Sequence, residues 1–154
     1  MALQPCVFCD ITADRVPASF VYRDEHIVAF LDIRPATPGH LLVVPTRHVA
    51  TLGDLDEDLG AQMWRVATRL AAALRSSGLP CEGINIFLAD GEAAFQDVFH
   101  THLHVLPRSA GDGFRMDASG WDQPAPSRDQ LDRHAESIRA ALAAGAASPS
   151  SKDH

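Results

Sequence analysis

Short apolar runs separated by polar turns occupy the first third of the chain. Residues 19–22, 27–33 and 40–45 read SFVY, IVAFLDI and HLLVVP, and their length and their content of β-branched and aromatic side chains are typical of strands. A four-residue polar turn, RDEH, separates the first two runs, and RPATPG separates the second from the third. Connections this short predict that sequential strands pair antiparallel.

The spacing of apolar positions changes to a helical period beyond residue 54. Apolar side chains recur at intervals of three or four and form one stripe on a predicted helix: Leu59, Met63, Val66, Leu70 and Leu74. Asp54 and Glu57 have the spacing of a capping box, and Gly78 and Pro80 are expected to end the helix.

Two more strands and a second helix follow. The strands are predicted at 83–88 and 99–106, and the loop of about ten residues between them has the length of loops that often carry function. A second apolar stripe predicts a C-terminal helix that begins near Ser127, with Ser127 and Gln130 as its cap. Residues 109–126, which precede this helix, show no regular pattern.

The order of elements predicts an α+β fold. We expect an antiparallel sheet of about five strands, one long central helix and a C-terminal helix. The 154 residues, 46% of them apolar, are enough for one core. We therefore expect a single domain over residues 1–144 and a disordered tail over 145–154.

Charge and cysteine content exclude several classes of protein. A net charge of −7 disfavours nucleic acid as a partner. No apolar stretch approaches the roughly 20 residues of a membrane span, and the start lacks the pattern of a secretory signal. Three cysteines are an odd number, which argues against a disulfide framework, so we expect a cytoplasmic protein.

Three histidines at alternate positions, His100, His102 and His104, are the most unusual feature of the chain. On a strand they would share one face, where two interpretations are open. One or two of them could bind a metal, but all three span about 14 Å and cannot reach one ion at about 2 Å. A neutral imidazole is also a good nucleophile toward phosphorus when a hydrogen-bond acceptor holds its other nitrogen.

A pair of cysteines, Cys6 and Cys9, has the spacing of half a zinc site. A redox-active pair of the thioredoxin type needs a βαβ setting, which the predicted elements do not provide. A zinc site and a bare thiol pair both remain open from the residues alone. The other histidines join no such grouping, and we expect them to be structural or solvated: His26, His40, His134 and His154.

Together these residues resemble the histidine triad (HIT) family of nucleotide-binding proteins. The family signature, His-φ-His-φ-His-φ-φ with φ apolar, is matched at every position except Thr101. Gln96 stands four residues before the first histidine, as it does in the family. Residues 30–35 and 38–48 are similar to the second and third strands of the family, so the resemblance covers about residues 5–108.

The resemblance implies a role for each site residue. His102 would be the nucleophile and would form a covalent nucleotidyl intermediate at the α-phosphate. His104 would contact the phosphate and assist the leaving group, Gln96 would hydrogen-bond to the phosphate or leaving group, and Asp32 would accept from the ribose hydroxyls. Apolar side chains would wall the base: Phe8, Ile11 and Ile33.

The resemblance also implies a metal, a partner and a substrate class. Several bacterial members with the same cysteine pair bind zinc with two histidines, which correspond here to His48 and His100, and such a Cys₂His₂ shell would be structural. Family members are usually homodimers whose sheets join edge to edge. Typical substrates are purine nucleoside phosphoramidates, aminoacyl adenylates and dinucleoside polyphosphates, so we expect a purine nucleotide such as AMP to bind.

Besides Thr101, three residues depart from the family pattern: Ala89, Phe95 and Asp97. Asp97 stands where some relatives place a phosphate-binding serine or threonine, and a carboxylate there would repel phosphate unless it points away. The leading hypothesis is a nucleotide hydrolase or nucleotidyl transferase. The alternatives are a purine-nucleotide-binding or interaction module with little catalysis, and a transferase that passes the nucleotidyl group to phosphate or a sugar phosphate.

Overall fold

An antiparallel sheet of five strands and three α-helices form within the described chain. The structure, a computed structural model, describes residues 5–116 and 123–146. The strands are β1 (Phe20–Arg23), β2 (Ile27–Leu31), β3 (Leu41–Pro45), β4 (Gly83–Phe87) and β5 (Leu103–Arg108). The helices are α1 (Val7–Thr12), α2 (Glu57–Ser76) and α3 (Arg128–Ala146). The predicted α+β class is confirmed.

The strand order, β1-β2-β3-β5-β4, places the last strand of the chain inside the sheet. β5 pairs with β3 on one side, with Leu42 opposite His104, and with β4 on the other. The chain that enters β5 therefore runs beside the chain that leaves β3, and the Thr101 N–H donates to the Val49 carbonyl at 2.6 Å. This crossing brings two sequence-distant histidine segments together.

Both faces of the central strands are buried, which explains why their sequences are continuously apolar. On one face, Val43 and Val105 pack with the apolar stripe of α2 in the main core. On the other face, Phe30 and Leu42 pack against Phe8 of α1 in a second cluster. Full burial of a large apolar side chain contributes about 1.5–3 kcal/mol, so the two clusters hold α1 and α2 on opposite faces of the sheet.

The first turn of α2 differs from the prediction. Asp56 is the N-cap, and its carboxylate accepts from the Leu59 N–H at 2.8 Å. Asp54, the predicted cap, instead accepts from the Thr51 hydroxyl in a preceding 3₁₀ turn. The predicted apolar stripe of α2 is buried as expected.

Strand β5 begins later than predicted, at Leu103 rather than at residue 99. Before that point the backbone groups bond elsewhere, because the Thr101 N–H goes to Val49 and the His100 carbonyl meets the His102 ring. Only His104 of the three histidines lies on a regular strand, so the prediction that all three share one strand face is wrong. Helix α1 was not predicted, since six residues are too few to show a helical period.

The chain divides into two compact units, Met1–Phe114 and Arg115–His154. In the second unit, the Ser127 N–H donates to the Gln130 side chain and the Gln130 N–H to the Ser127 hydroxyl, which confirms the predicted cap of α3. Helix α3 continues through Ala146, so the first two residues of the predicted tail, 145–146, are helical; residues 147–154 lie outside the described part.

Arg108, at the end of β5, holds the segment that follows it. Its guanidinium bonds to the Asp112 carboxylate and to the Phe114 carbonyl, both at 2.7 Å. The Arg108 side chain is therefore engaged with residues 112–114. In the described ranges, no helix is both long and apolar enough to cross a membrane.

Candidate functional site

The structure brings four metal-ligating side chains together where α1, the end of β3 and the entry to β5 meet. Cys6 Sγ lies 3.4 Å from His100 Nδ1, and Cys9 Sγ lies 3.3 Å from His48 Nδ1 and 3.5 Å from His100 Nδ1. The four candidate ligand atoms all lie within 4.8 Å of one another. These are the four side chains in which the sequence predicted a zinc site.

The spacing of these atoms fits a small tetrahedral ion. Zinc at about 2.3 Å from sulfur and about 2.05 Å from nitrogen separates adjacent sulfur and nitrogen ligands by about 3.6 Å in a tetrahedron. The three sulfur–nitrogen distances, 3.3 to 3.5 Å, are close to this value. The cluster can therefore hold a metal ion with little rearrangement.

The tautomer of His100 suits a cation, and the thiols do not form a redox-active pair. Burial, together with the neighbouring Cys6 thiol, raises the pKa of Cys9 to about 11, the opposite of the lowered pKa of a redox-active cysteine. The fully buried His100 ring donates from Nε2 to the Pro45 carbonyl at 2.8 Å, which leaves the Nδ1 lone pair directed at the sulfurs. Burial lowers the pKa of His100 to about 4, so the ring is neutral.

His102 carries the opposite tautomer. Its Nδ1–H donates to the His100 carbonyl at 2.7 Å, so the Nε2 atom holds the free lone pair. The residue is only 2% exposed, and within the described part of the chain Nε2 makes no hydrogen bond, its nearest charged atom being Asp97 Oδ1 at 3.9 Å. Among the described residues, only the Thr101 hydroxyl is both enclosed and unpartnered, so solvent reaches His102 Nε2. An unprotonated, accessible nitrogen held by the backbone is the arrangement that a nucleophile requires.

His104 is held by a fourth histidine, His40. The Ala36 N–H donates to His40 Nδ1 at 3.2 Å, so His40 carries its proton on Nε2 and donates to His104 Nδ1 at 2.9 Å. His104 must then carry its own proton on Nε2. Burial lowers the pKa of both rings, that of His104 to about 4, and the His104 ring stacks on Phe87 with centroids 4.3 Å apart.

His40 is the residue of this site that the sequence analysis missed. We expected it to be structural or solvated, but it is 5% exposed and bonded to a member of the triad. The available signal was its place after Gly39, whose φ of 90° forms the tight turn into β3. The turn places His40 directly before β3, beside β5. That β3 and β5 are neighbours is known only from the strand order of the sheet.

The loop before the triad presents two polar side chains in different ways. Gln96 is buried, and its amide donates to the Ala50 and Val98 carbonyls while accepting from the Gly91 N–H. All of its strong hydrogen-bonding groups are therefore engaged within the loop. The Asp97 carboxylate is exposed, and its Oδ1 atom lies 3.9 Å from His102 Nε2.

The predicted nucleoside-binding residues divide into an anchored group and an exposed one. Asp32 accepts from the Arg34 N–H at 2.8 Å and lies 3.8 Å from His40 Nδ1. Phe8 is buried and packs edge-on against the His102 ring, with ring centroids 5.0 Å apart, and Ile11 is buried in the same second cluster. Ile33 is 93% exposed, so in this state it forms no apolar wall by itself.

Comparison with known proteins agrees with this arrangement. The sequence model of the HIT domain matches residues 13–111. A crystal structure of a Zn-bound histidine triad family protein from Mycobacterium smegmatis is 42% identical and has a TM-score of 0.70 over 91% of this chain and 96% of the other.

Two further solved structures are similar. A histidine triad nucleotide-binding protein from Candida albicans has a TM-score of 0.78 at 27% identity, over 90% of this chain and 98% of the other. A HIT family hydrolase from Legionella pneumophila Philadelphia 1 has a TM-score of 0.61 at 35% identity, over 74% and 97%. With a family match over most of its length and the triad held as described, the chain belongs to the HIT domain family.

Proposed function

We propose that this protein is a nucleotide hydrolase or nucleotidyl transferase that acts on the α-phosphate of purine nucleotide derivatives. The substrates would be phosphoramidates, aminoacyl adenylates or dinucleoside polyphosphates, and AMP would bind as the product. The hydrolase and the nucleotide-binding protein among the similar structures support the general class. The observation that carries the proposal is the tautomer of His102, whose free Nε2 lone pair reaches solvent while Nδ1 is held by the backbone.

The reaction follows from which nitrogen is free. His102 Nε2 attacks phosphorus, the new N–P bond forms, and the bond from phosphorus to the leaving group breaks. The ring becomes a cationic nucleotidyl-imidazolium, which the His100 carbonyl stabilises through the Nδ1–H. His104, with its proton on Nε2, donates a hydrogen bond to a phosphate oxygen and supports the developing charge.

Protons balance over the two steps. A leaving amine takes up one proton at nitrogen as it departs, and this proton comes from solvent. Water then attacks phosphorus, the N–P bond breaks, AMP is released and one proton returns to solvent. His102 ends in its starting tautomer, because its Nδ1–H never leaves the His100 carbonyl.

The remaining predicted residues would bind and position the nucleotide. Asp32 would accept from ribose hydroxyls through the oxygen that faces His40, and Phe8 with Ile11 would support the base from beneath. Ile33 would become covered when the base binds. We propose that Gln96 acts by holding the loop, since its amide is fully engaged there, and that it contacts phosphate or leaving group only after releasing one of those bonds.

We propose that the Cys₂His₂ cluster binds a structural zinc ion through Cys6, Cys9, His48 and His100. The sulfur–nitrogen distances support zinc, and the relative from Mycobacterium smegmatis is described as Zn-bound. The ion would fix the ends of three separate segments and would supply no step of the reaction, because all four ligand positions come from protein. Free cysteines of this kind also support the cytoplasm as the compartment.

We propose a homodimer joined through strand β4. This strand lies at the edge of the sheet, and all five of its residues are partly exposed. An edge of this kind presents unpaired backbone groups that a second copy can complete.

A nucleotide-binding module with little catalysis is the second candidate. One observation favours it, namely the Asp97 carboxylate that lies 3.9 Å from the attacking nitrogen and would oppose an incoming phosphate. Binding of AMP without turnover of any phosphoramidate or dinucleotide would support this candidate. A transferase would be recognised by turnover that produces a new nucleotidyl ester when phosphate or a sugar phosphate is supplied.

Replacement of the nucleophile tests the proposal. His102→Ala should lower kcat for an adenosine phosphoramidate by at least about 10³-fold, since the covalent route is lost. Binding of AMP should stay measurable by calorimetry. The matched control is His26→Ala, an exposed histidine in the β1–β2 turn, which should keep wild-type kcat. Wild-type kcat in the His102 variant would show that this residue is not the nucleophile.

A further inference from the structure

The loop that precedes the triad places a negative charge beside the attacking nitrogen. Asp97 Oδ1 accepts from the Val98 N–H at 2.9 Å, and the same oxygen lies 3.9 Å from His102 Nε2. The side chain is 79% exposed, so it is part of the open mouth of the site rather than of its wall. The Asp97 side chain does not point away from the site, because its hydrogen bond to the Val98 N–H keeps the carboxylate near His102.

Within the described residues, no arginine lies within 4 Å of Asp97 to offset this charge, and the ring nearest to its carboxylate is that of His102. His104, the next histidine of the triad, is also near the carboxylates of Asp32 and Asp97. Arg108, the basic residue that follows β5, is occupied by Asp112. The mouth of the site is therefore negative.

The consequence for a reacting substrate follows from distance. A phosphorus atom ready for attack lies about 3–3.5 Å from the nucleophile, so it lies within about 7 Å of the Asp97 carboxylate. This is less than the screening length of about 8 Å at physiological ionic strength. The nucleotidyl half is the same in every substrate, so Asp97 opposes it equally each time. Only the charge of the leaving group can change the balance.

We propose that Asp97 selects substrates whose leaving group carries an ammonium group, and that it disfavours leaving groups whose net charge is negative, such as polyphosphate. This inference rests on the proposed function. Its substrate class is a nucleoside phosphoramidate or mixed anhydride whose leaving portion bears an ammonium group. Asp97 contacts that portion as a specificity-determining residue, whereas the bond changes stay with His102.

Three adenosine 5′-phosphoramidates that share one nucleotide test the charge directly. Their leaving amines are ethylenediamine with an ammonium tail, propylamine with a neutral tail and β-alanine with a carboxylate tail. At the dielectric constant of water, a tail charge that lies about 7 Å from the Asp97 carboxylate changes a rate about threefold. The wild type should therefore prefer the ammonium over the carboxylate substrate by about tenfold in kcat/KM.

Asp97→Asn isolates the charge, because the amide oxygen can still accept from the Val98 N–H. In this variant the ammonium-to-carboxylate ratio of kcat/KM should fall about tenfold, toward one. The matched control is Glu92→Gln, an exposed carboxylate of the same loop, which should leave the ratio within about twofold of wild type. Added salt should reduce the ratio in the wild type and leave it unchanged in Asp97→Asn.

The outcomes separate the two levels of the proposal. An Asp97→Asn ratio equal to that of the wild type, with all three substrates turned over, would overturn the role of Asp97 and leave the proposed function intact. Failure of the wild type to turn over any of the three, with AMP still bound, would overturn both. A drop in the ratio that Glu92→Gln reproduces would mean that the general charge of the loop acts, and it too would overturn the assignment to Asp97.

Discussion

His100 and His102 are two residues apart and face opposite tasks. In His100 the Nε2–H donates a hydrogen bond to the Pro45 carbonyl, and Nδ1 points at the two cysteine sulfurs. In His102 the Nδ1–H donates a hydrogen bond to the His100 carbonyl, and Nε2 is left open to solvent. The same side chain thus serves a proposed metal cluster or a proposed nucleophile according to which ring nitrogen meets a carbonyl. The chemistry of a histidine is set by its hydrogen-bond partner as much as by its position.

Removal of one sulfur ligand from the proposed metal cluster should have the largest effect, on both zinc content and stability. Cys9→Ser should lower zinc content from about one equivalent to a small fraction, because the softer, stronger thiolate ligand is lost. The free energy of unfolding should fall by about 3 kcal/mol or more, since binding energy of the metal is folding energy. Elemental analysis and urea unfolding measure the two effects.

Cys81→Ser is the matched control for that experiment, because Cys81 lies outside the cluster. It should retain full zinc content. Equal zinc content in Cys9→Ser and the wild type would contradict the proposed ligand set.

Loss of the His40 side chain should lower turnover through His104 and should leave zinc binding unchanged. His40→Phe keeps an aromatic ring but removes the donor to His104 Nδ1, so His104 is free to take the wrong tautomer. We expect kcat to fall about tenfold to a hundredfold while KM changes less than about threefold. His40→Gln, which can still donate, should recover part of the loss. A fall in zinc content, or an equal loss in both variants, would show that His40 supports only the fold.

Acid should lower the free energy of unfolding through the buried ring of His104. Burial, with His102 and His40 nearby, lowers the pKa of His104 from 6.5 to about 4. Between these values the unfolded chain binds a proton that the folded protein does not, so the free energy of unfolding falls as the pH drops from about 6.5 to about 4. The loss should be on the order of 3 kcal/mol.

Urea unfolding of the wild type and of His104→Gln across this range isolates the contribution. The difference between their free energies of unfolding should change with pH only in that window, since metal loss affects both proteins alike. A difference that does not vary with pH would contradict the lowered pKa.

Thr101 separates the two histidines, and its substitution should have the smallest effect. Its hydroxyl is buried without a hydrogen-bond partner, which costs about 1 kcal/mol or more. Thr101→Val keeps the shape and removes the polar atom, so the free energy of unfolding should rise by about 1 kcal/mol. Zinc content and turnover should not change. A loss of stability would mean that the hydroxyl has a partner, such as a bound water.

The sequence predicted the elements whose pattern is local. The apolar stripe of α2 and the cap of α3 at Ser127 and Gln130 repeat at a fixed spacing, and both are present. It failed where long-range contacts compete with local pattern. The start of β5 moves to Leu103 because the Thr101 N–H bonds to Val49, 52 residues earlier in the chain.

The site shows the same division. The cysteine pair and the triad are local motifs, and resemblance to the family is enough to join them to His48. His40 was missed because its partner, His104, lies on a strand that is brought beside it only by the order β3-β5. The engaged amide of Gln96 could not be foreseen either, since its acceptors belong to Ala50 and Val98 of two different segments.

The carbonyl of His100 has a consequence for how such proteins diverge. The side chain of this residue faces the cysteines, but its backbone oxygen holds His102, and a backbone oxygen is present whatever the amino acid. A lineage could therefore exchange the histidine at position 100, and with it the cysteines, without altering the nitrogen that meets phosphorus. Inheritance of the metal and inheritance of the nucleophile are separable, even though one residue contributes to both.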